Sequence, residues 1–126
     1  MSQISETPAT TPTNPGIVIF IGSDIIGRGE NIELGKLLMQ SFLNTIRSLP
    51  NRPETILFMN NGVKLVAEGS HVLGELKQLA DSGVELLACG TCLSRFGLTD
   101  KVEVGQVSNM FTIADTMTRA AKVISL

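Results

Sequence analysis

Three short apolar runs constrain this chain more than any other feature: Ile17 to Ile21, Thr55 to Met59 and Val84 to Ala88. None alternates apolar with polar residues. A strand of that kind suits a sheet covered on both faces, as parallel sheets are. Between the runs, apolar residues recur at helical spacing. From Glu30 to Leu49 the stripe is Leu34, Leu37, Leu38, Ser41, Phe42, Thr45, Ile46 and Leu49, and Pro50 and Pro53 stop it. Ser70 reads as the N-cap of a second helix with Val72, Leu73, Leu76, Leu79 and Ala80 inward, ended by Gly83. A short helical turn is expected at Val63 to Val66 and another segment at Leu93 to Phe96. Val102 to Val107 reads as a short fourth strand. Ser108 reads as the cap of a helix from Asn109 to Ala121, and Val123 to Leu126 as a last edge strand. Strands alternating with helices imply an α/β fold, a mainly parallel sheet with right-handed crossovers and helices on both faces.

In a parallel sheet the carboxyl ends of the strands share one edge, where ligands and chemistry of open α/β sheets gather. Each of the three runs ends there in a polar or glycine-bearing segment. The first is Gly22-Ser23-Asp24 with Gly27-Arg28-Gly29, the second Asn60-Asn61-Gly62, the third Cys89-Gly90-Thr91-Cys92, which holds the only two cysteines of the chain. A thiol at a strand end meets backbone N–H groups and the positive end of the following helix dipole, which favour thiolate. Thiolate attacks sulfur and carries a transferred atom, so Cys89 and Cys92 are the candidate catalytic residues.

Plainer alternatives stand beside that one. Free cysteine is often a small buried hydrophobe. A closed zinc site wants four ligands, and two cysteines with one histidine fall short, so no metal is expected. A thioredoxin-type role lacks its Trp-Cys-Gly-Pro-Cys context. Ser23, Asp24 and Arg28 suggest a small-anion site with Arg28 as counter-charge, joined by amide groups of Asn60 and Asn61. Turn geometry explains the same residues equally well. The pattern of a Walker loop is missing, and so is the dinucleotide fingerprint. His71 is read as an exposed helix residue away from the strand ends.

The chain has 126 residues, enough for one well-packed domain. Residues 1–15 are rich in Ser, Thr and Pro and read as a disordered tail or linker, with the domain at 16–126. A net charge of −2, with no basic run and no Trp or Tyr, argues against nucleic acid or an anionic membrane as partner. No segment is long and apolar enough to span a bilayer, and residues 1–15 lack the apolar centre of a signal peptide. With so few cysteines, three apart, a cytoplasmic setting is expected.

These motifs resemble the DsrE/DsrF-like family of small sulfur-transfer proteins, and within it the C-terminal domain of the YedF-type, selenium-metabolism-associated subgroup. The likeness runs through Gly22-Ser23-Asp24, Leu34-Gly35-Lys36-Leu37-Leu38-Met39, Phe58-Met59-Asn60-Asn61-Gly62-Val63-Lys64-Leu65, Glu68-Gly69-Ser70 and Gly83-Val84-Glu85-Leu86-Leu87. It continues into Cys89-Gly90-Thr91-Cys92 and Ser108-Asn109-Met110, covering residues 16–126. The resemblance implies a DsrE-like three-layer sandwich and a sulfur or selenium relay with the persulfide on Cys89. Cys92 would assist or resolve it, and no cofactor is needed. It also implies sulfur donor and acceptor proteins as partners, and assembly as a homo-oligomer. Fuller members of the subgroup carry a sulfur-carrier module with a Cys-Pro-x-Pro motif; no cysteine precedes Cys89 here. Two rival functions are a protein-binding or assembly module and a thiol-redox sensor that forms a Cys89–Cys92 disulfide.

Overall fold

The computed structural model of the protein describes residues 13–126, with side chains from Gly16 onward. Among the described residues five strands form a single sheet: β1 (Thr13–Ile21), β2 (Arg52–Phe58), β3 (Glu85–Cys89), β4 (Gln106–Ser108) and β5 (Lys122–Ser125), in the order β4-β3-β2-β1-β5. Every neighbouring pair is parallel. The helices are α1 (Ile32–Ile46), α2 (Leu73–Asp81), α3 (Gly90–Arg95) and α4 (Met110–Arg119), with 3-10 turns at Asn60–Val66 and Thr99–Lys101. The steps from β1 to β4 all run one way across the sheet. Right-handed crossovers therefore put α1, α2 and α3 on one face, and the return from β4 to β5 carries α4 to the other. The middle strands are buried as their unbroken apolar runs require: Ile19, Ile21, Ile56, Leu57, Phe58, Leu86, Leu87 and Ala88.

Several local details differ from the sequence expectations. β1 includes Thr13 and Asn14, which pair with Arg52 and Pro53 before the register slips ahead of Val18. The rest of the expected tail, residues 1–12, lies outside the described residues. Pro53, expected as a breaker, sits inside β2. Pairing to β3 starts only at Thr55 with Glu85, so the missing N–H of Pro53 costs no bond on that side. Along α1 the buried residues are Gly35, Met39, Leu43 and Ile46. Leu34, Leu37 and Leu38, expected inward, are 50%, 60% and 41% exposed. The helix is apolar around more than one face, and periodicity by itself did not select which face meets the sheet.

Caps shift by one or two residues. Ser70 Oγ accepts from Val72 N (3.1 Å), closing the turn before α2 instead of capping the helix itself. Asn109, not Ser108, caps α4 by accepting from Thr112 N (2.8 Å). The fourth strand is only Gln106–Ser108; Val102 makes an isolated antiparallel bridge with Ala67, and Gly105 turns the chain with φ +82° between the two.

Candidate functional site

The ends of β1, β2 and β3 meet at one edge, as expected of a parallel sheet. Backbone hydrogen bonds join them: Met59 N donates to Ile21 O (3.1 Å), and Gly62 N donates to Met59 O (2.8 Å). Gly62 is needed for this closeness, since a Cβ there would collide with the Ile21 carbonyl oxygen. Gly90 plays the same part on the other side, where a Cβ would stand 2.9 Å from Ser108 O. The chain thus passes from β3 into α3 under the end of β4.

Cys89 closes β3 and caps α3, its Sγ accepting from Cys92 N at 3.4 Å. It is 2% exposed. Cys92, in the first turn of α3, has its Sγ at 3.1 Å from the donating backbone N–H of Asn60. Asn60 reaches that position with φ +53°, the one non-glycine residue with positive φ among those described. Asn tolerates this left-handed backbone better than most residues. Both thiols are free.

Above them lies an open cleft of about 1480 Å³. β1 contributes Phe20, and Gly22 follows it; Met59 and Asn60 follow β2; α3 and the residue after it contribute Cys92, Arg95 and Phe96. All three strand ends therefore take part. The thiol facing the cleft is Cys92, while Cys89, on which the resemblance places the persulfide, lies beneath it. At Cys92 the surroundings pull in opposite directions on the thiolate. Burial pushes its pKa up, and hydrogen bonding with the Cys89 thiol adds to the rise; the Asn60 N–H opposes it. Partial desolvation, with the neighbouring Cys89 thiol, thus outweighs the N–H that Cys92 faces.

The other expected site residues disperse. Asn60 is at the cleft. Ser23 Oγ accepts from Ile25 N (3.2 Å), a local turn. Asp24 lines a second hollow of about 460 Å³ together with Lys36, Lys64 and His71. Arg28 is exposed in the loop after β1, and neither Arg28 nor Asn61 lines the cleft or the hollow. His71 is exposed as expected, but it precedes α2 and lines the same hollow as Asp24, its Nε2 3.2 Å from Lys36 O. Sequence reading passed over Phe20, Met59, Arg95 and Phe96. The last two had a signal: three and four residues beyond Cys92, they share its side of a helix once α3 starts at Gly90.

The model of the DsrE/DsrF-like family matches residues 42–126. The chain belongs to this family. The family is associated with sulfur relay. Among solved structures, the chain is similar to the ychN protein from E. coli, with a TM-score of 0.60 at 18% identity, covering 89% of this chain and 99% of that one. It is also similar to MTH1491 from Methanobacterium thermoautotrophicum, with a TM-score of 0.60 at 23% identity over 87% and 97% of the two chains. A third is BT1422 from Bacteroides thetaiotaomicron, with a TM-score of 0.61 at 17% identity over 88% and 95%. At these identities the likeness shows the DsrE-like fold. No curated protein matches the sequence significantly. No helix among the described residues is long and apolar enough to cross a membrane.

Proposed function

We propose that this DsrE/DsrF-like protein relays sulfur through its cysteine pair, with entry at Cys92. The observation that carries the order is exposure: Cys92 lines the cleft, whereas Cys89 is 2% exposed. Cys92 thiolate attacks the outer sulfur of a donor R–S–SH. The donor S–S bond breaks, R–S⁻ leaves, and the new Cys92 S–S bond carries the transferred SH. An acceptor thiolate then attacks that outer sulfur and releases Cys92 thiolate. If Cys89 thiolate attacks Cys92 Sγ instead, HS⁻ leaves and a Cys89–Cys92 disulfide forms, which a thiol reductant reopens. The Asn60 N–H, 3.1 Å from Cys92 Sγ, offsets charge on that sulfur whenever it is the thiolate or the leaving group. Donor and acceptor proteins, and self-association, belong to the same reading through the family resemblance.

Intact mass after exposure of the reduced protein to a persulfide donor tests the assignment. A gain of one sulfur that survives Cys89→Ser and is lost in Cys92→Ser is expected. A gain lost only in Cys89→Ser returns the carrier role to the buried thiol. A loss of two hydrogens in the native protein, with no sulfur gained in either Cys89→Ser or Cys92→Ser, points to a redox sensor.

A further inference from the structure

Taking the relay reading as its basis, we infer that the Cys92 cleft selects a small anionic sulfur carrier, with Arg95 as the residue that reads its negative group. Among the described residues Arg95 is the only charged side chain lining the cleft, and none of the lining residues is a carboxylate. Among the described residues it is in no ion pair. The remaining walls combine the apolar Phe20, Met59 and Phe96 with the uncharged polar Asn60, Thr91 and Ser94. A carrier with a short apolar stem and an anionic end fits such a lining, its sulfur at Cys92 and its charge at Arg95.

The positive character extends past the cleft. Phe96, 38% exposed, is a wall shared by the cleft and the second hollow. The Nζ of Lys64 lies 4.6 Å from the centre of its ring, and Lys36 lines the hollow beyond. Of the two carboxylates in that hollow, Glu68 is paired with Lys101 at 3.7 Å, leaving Asp24 against Lys36 and Lys64. The whole chain has 12 acidic and 10 basic residues, so a cationic flank at the reactive thiol is not a by-product of a basic protein. Local positive charge raises the concentration of anions at a cleft and speeds their capture.

The test needs no identified donor. Native protein is alkylated with iodoacetate, which is anionic, and with iodoacetamide, its neutral counterpart, and the rate ratio is divided by that of N-acetylcysteine. Cys92 is expected to favour the anion by about two- to fivefold, the range of one solvent-exposed charge pair. The preference is expected to vanish in Arg95→Gln, to survive in Lys77→Gln, a change at an exposed residue of α2 that lines neither the cleft nor the hollow, and to shrink with added salt. No preference in the native protein, or one unchanged in Arg95→Gln, overturns the inference. Sulfur uptake by Cys89→Ser from the persulfide of 2-mercaptoethanol, whose stem carries no charged group, read by mass, separates the two readings. Uptake without charge preference sinks the anionic carrier alone. Charge preference without uptake from this donor or from the persulfide of 3-mercaptopropionate sinks the relay and with it the carrier, leaving only an anion site.

Discussion

The loop after β1 and the turns after β2 and β3 carry the same sequence signature, polar residues and glycines at a strand end, yet they do different structural work. In the loop, a Cβ on Gly27 or Gly29 would meet nothing within 4 Å, and Arg28 between them is exposed. In the turns, a Cβ on Gly62 or Gly90 would run into a neighbouring backbone carbonyl. The first set of glycines permits a path over the surface. The second permits backbone to approach backbone, and that approach brings the Asn60 N–H to Cys92 Sγ. A glycine-rich strand end therefore says little about a site until its packing is known.

The sharpest way to break this comparison is native-state labelling. Iodoacetamide should modify one thiol per chain in the folded protein, and Cys92→Ser should abolish that labelling while Cys89→Ser retains it. Rapid modification of Cys89 in the folded state would mean that the turn after β3 opens as freely as the loop after β1. Next in size, Gly62→Ala should destabilise the protein by about 1–3 kcal/mol or more through overpacking against the Ile21 carbonyl. Gly29→Ala, by contrast, should stay within about 0.5 kcal/mol. Urea unfolding of the two variants compares them directly, and equal losses would remove the distinction between permissive and packed glycines.

The pH dependence of labelling sharpens the same contrast. Alkylation follows the thiolate fraction, so its rate climbs about tenfold per pH unit below the pKa. Since burial raises the Cys92 pKa, its rate should still be rising at a pH where a free cysteine has levelled off. A plateau at lower pH than the free thiol would show that the Asn60 N–H outweighs desolvation. The smallest effect is expected at Asn60 itself. Asn60→Gly should leave stability nearly unchanged, while Asn60→Val should cost about 1–2 kcal/mol, because its φ of +53° is left-handed. Equal stability of the two would mean that this backbone relaxes without consequence.

Much of the architecture was legible from the order of residues. Non-alternating, mostly apolar runs at 17–21, 55–59 and 84–88, separated by helical stripes, pointed to buried parallel strands, whose polar ends then share an edge. That placed Asn60 and the cysteine pair together. Less legible were matters of degree and facing. Leu34, Leu37 and Leu38 follow helical spacing as well as Met39, Leu43 and Ile46 do, and only the sheet beneath α1 distinguishes the two stripes. Arg95 and Phe96 joined the site because α3 starts at Gly90, three residues earlier than its apolar pattern suggests.

Sequence by itself determined the α/β order, the parallel sheet and the strand edge where both thiols stand, because periodicity and chain connectivity are local properties. Tertiary structure decided which thiol is covered, where the cleft obtains its charge, and in which direction the Cys92 pKa moves. Each of these depends on atoms brought near from distant positions: Ser108 over Gly90, Asn60 against Cys92, and Lys64 over Phe96. Desolvation and hydrogen bonding act through space, and their balance is set only when the chain has folded.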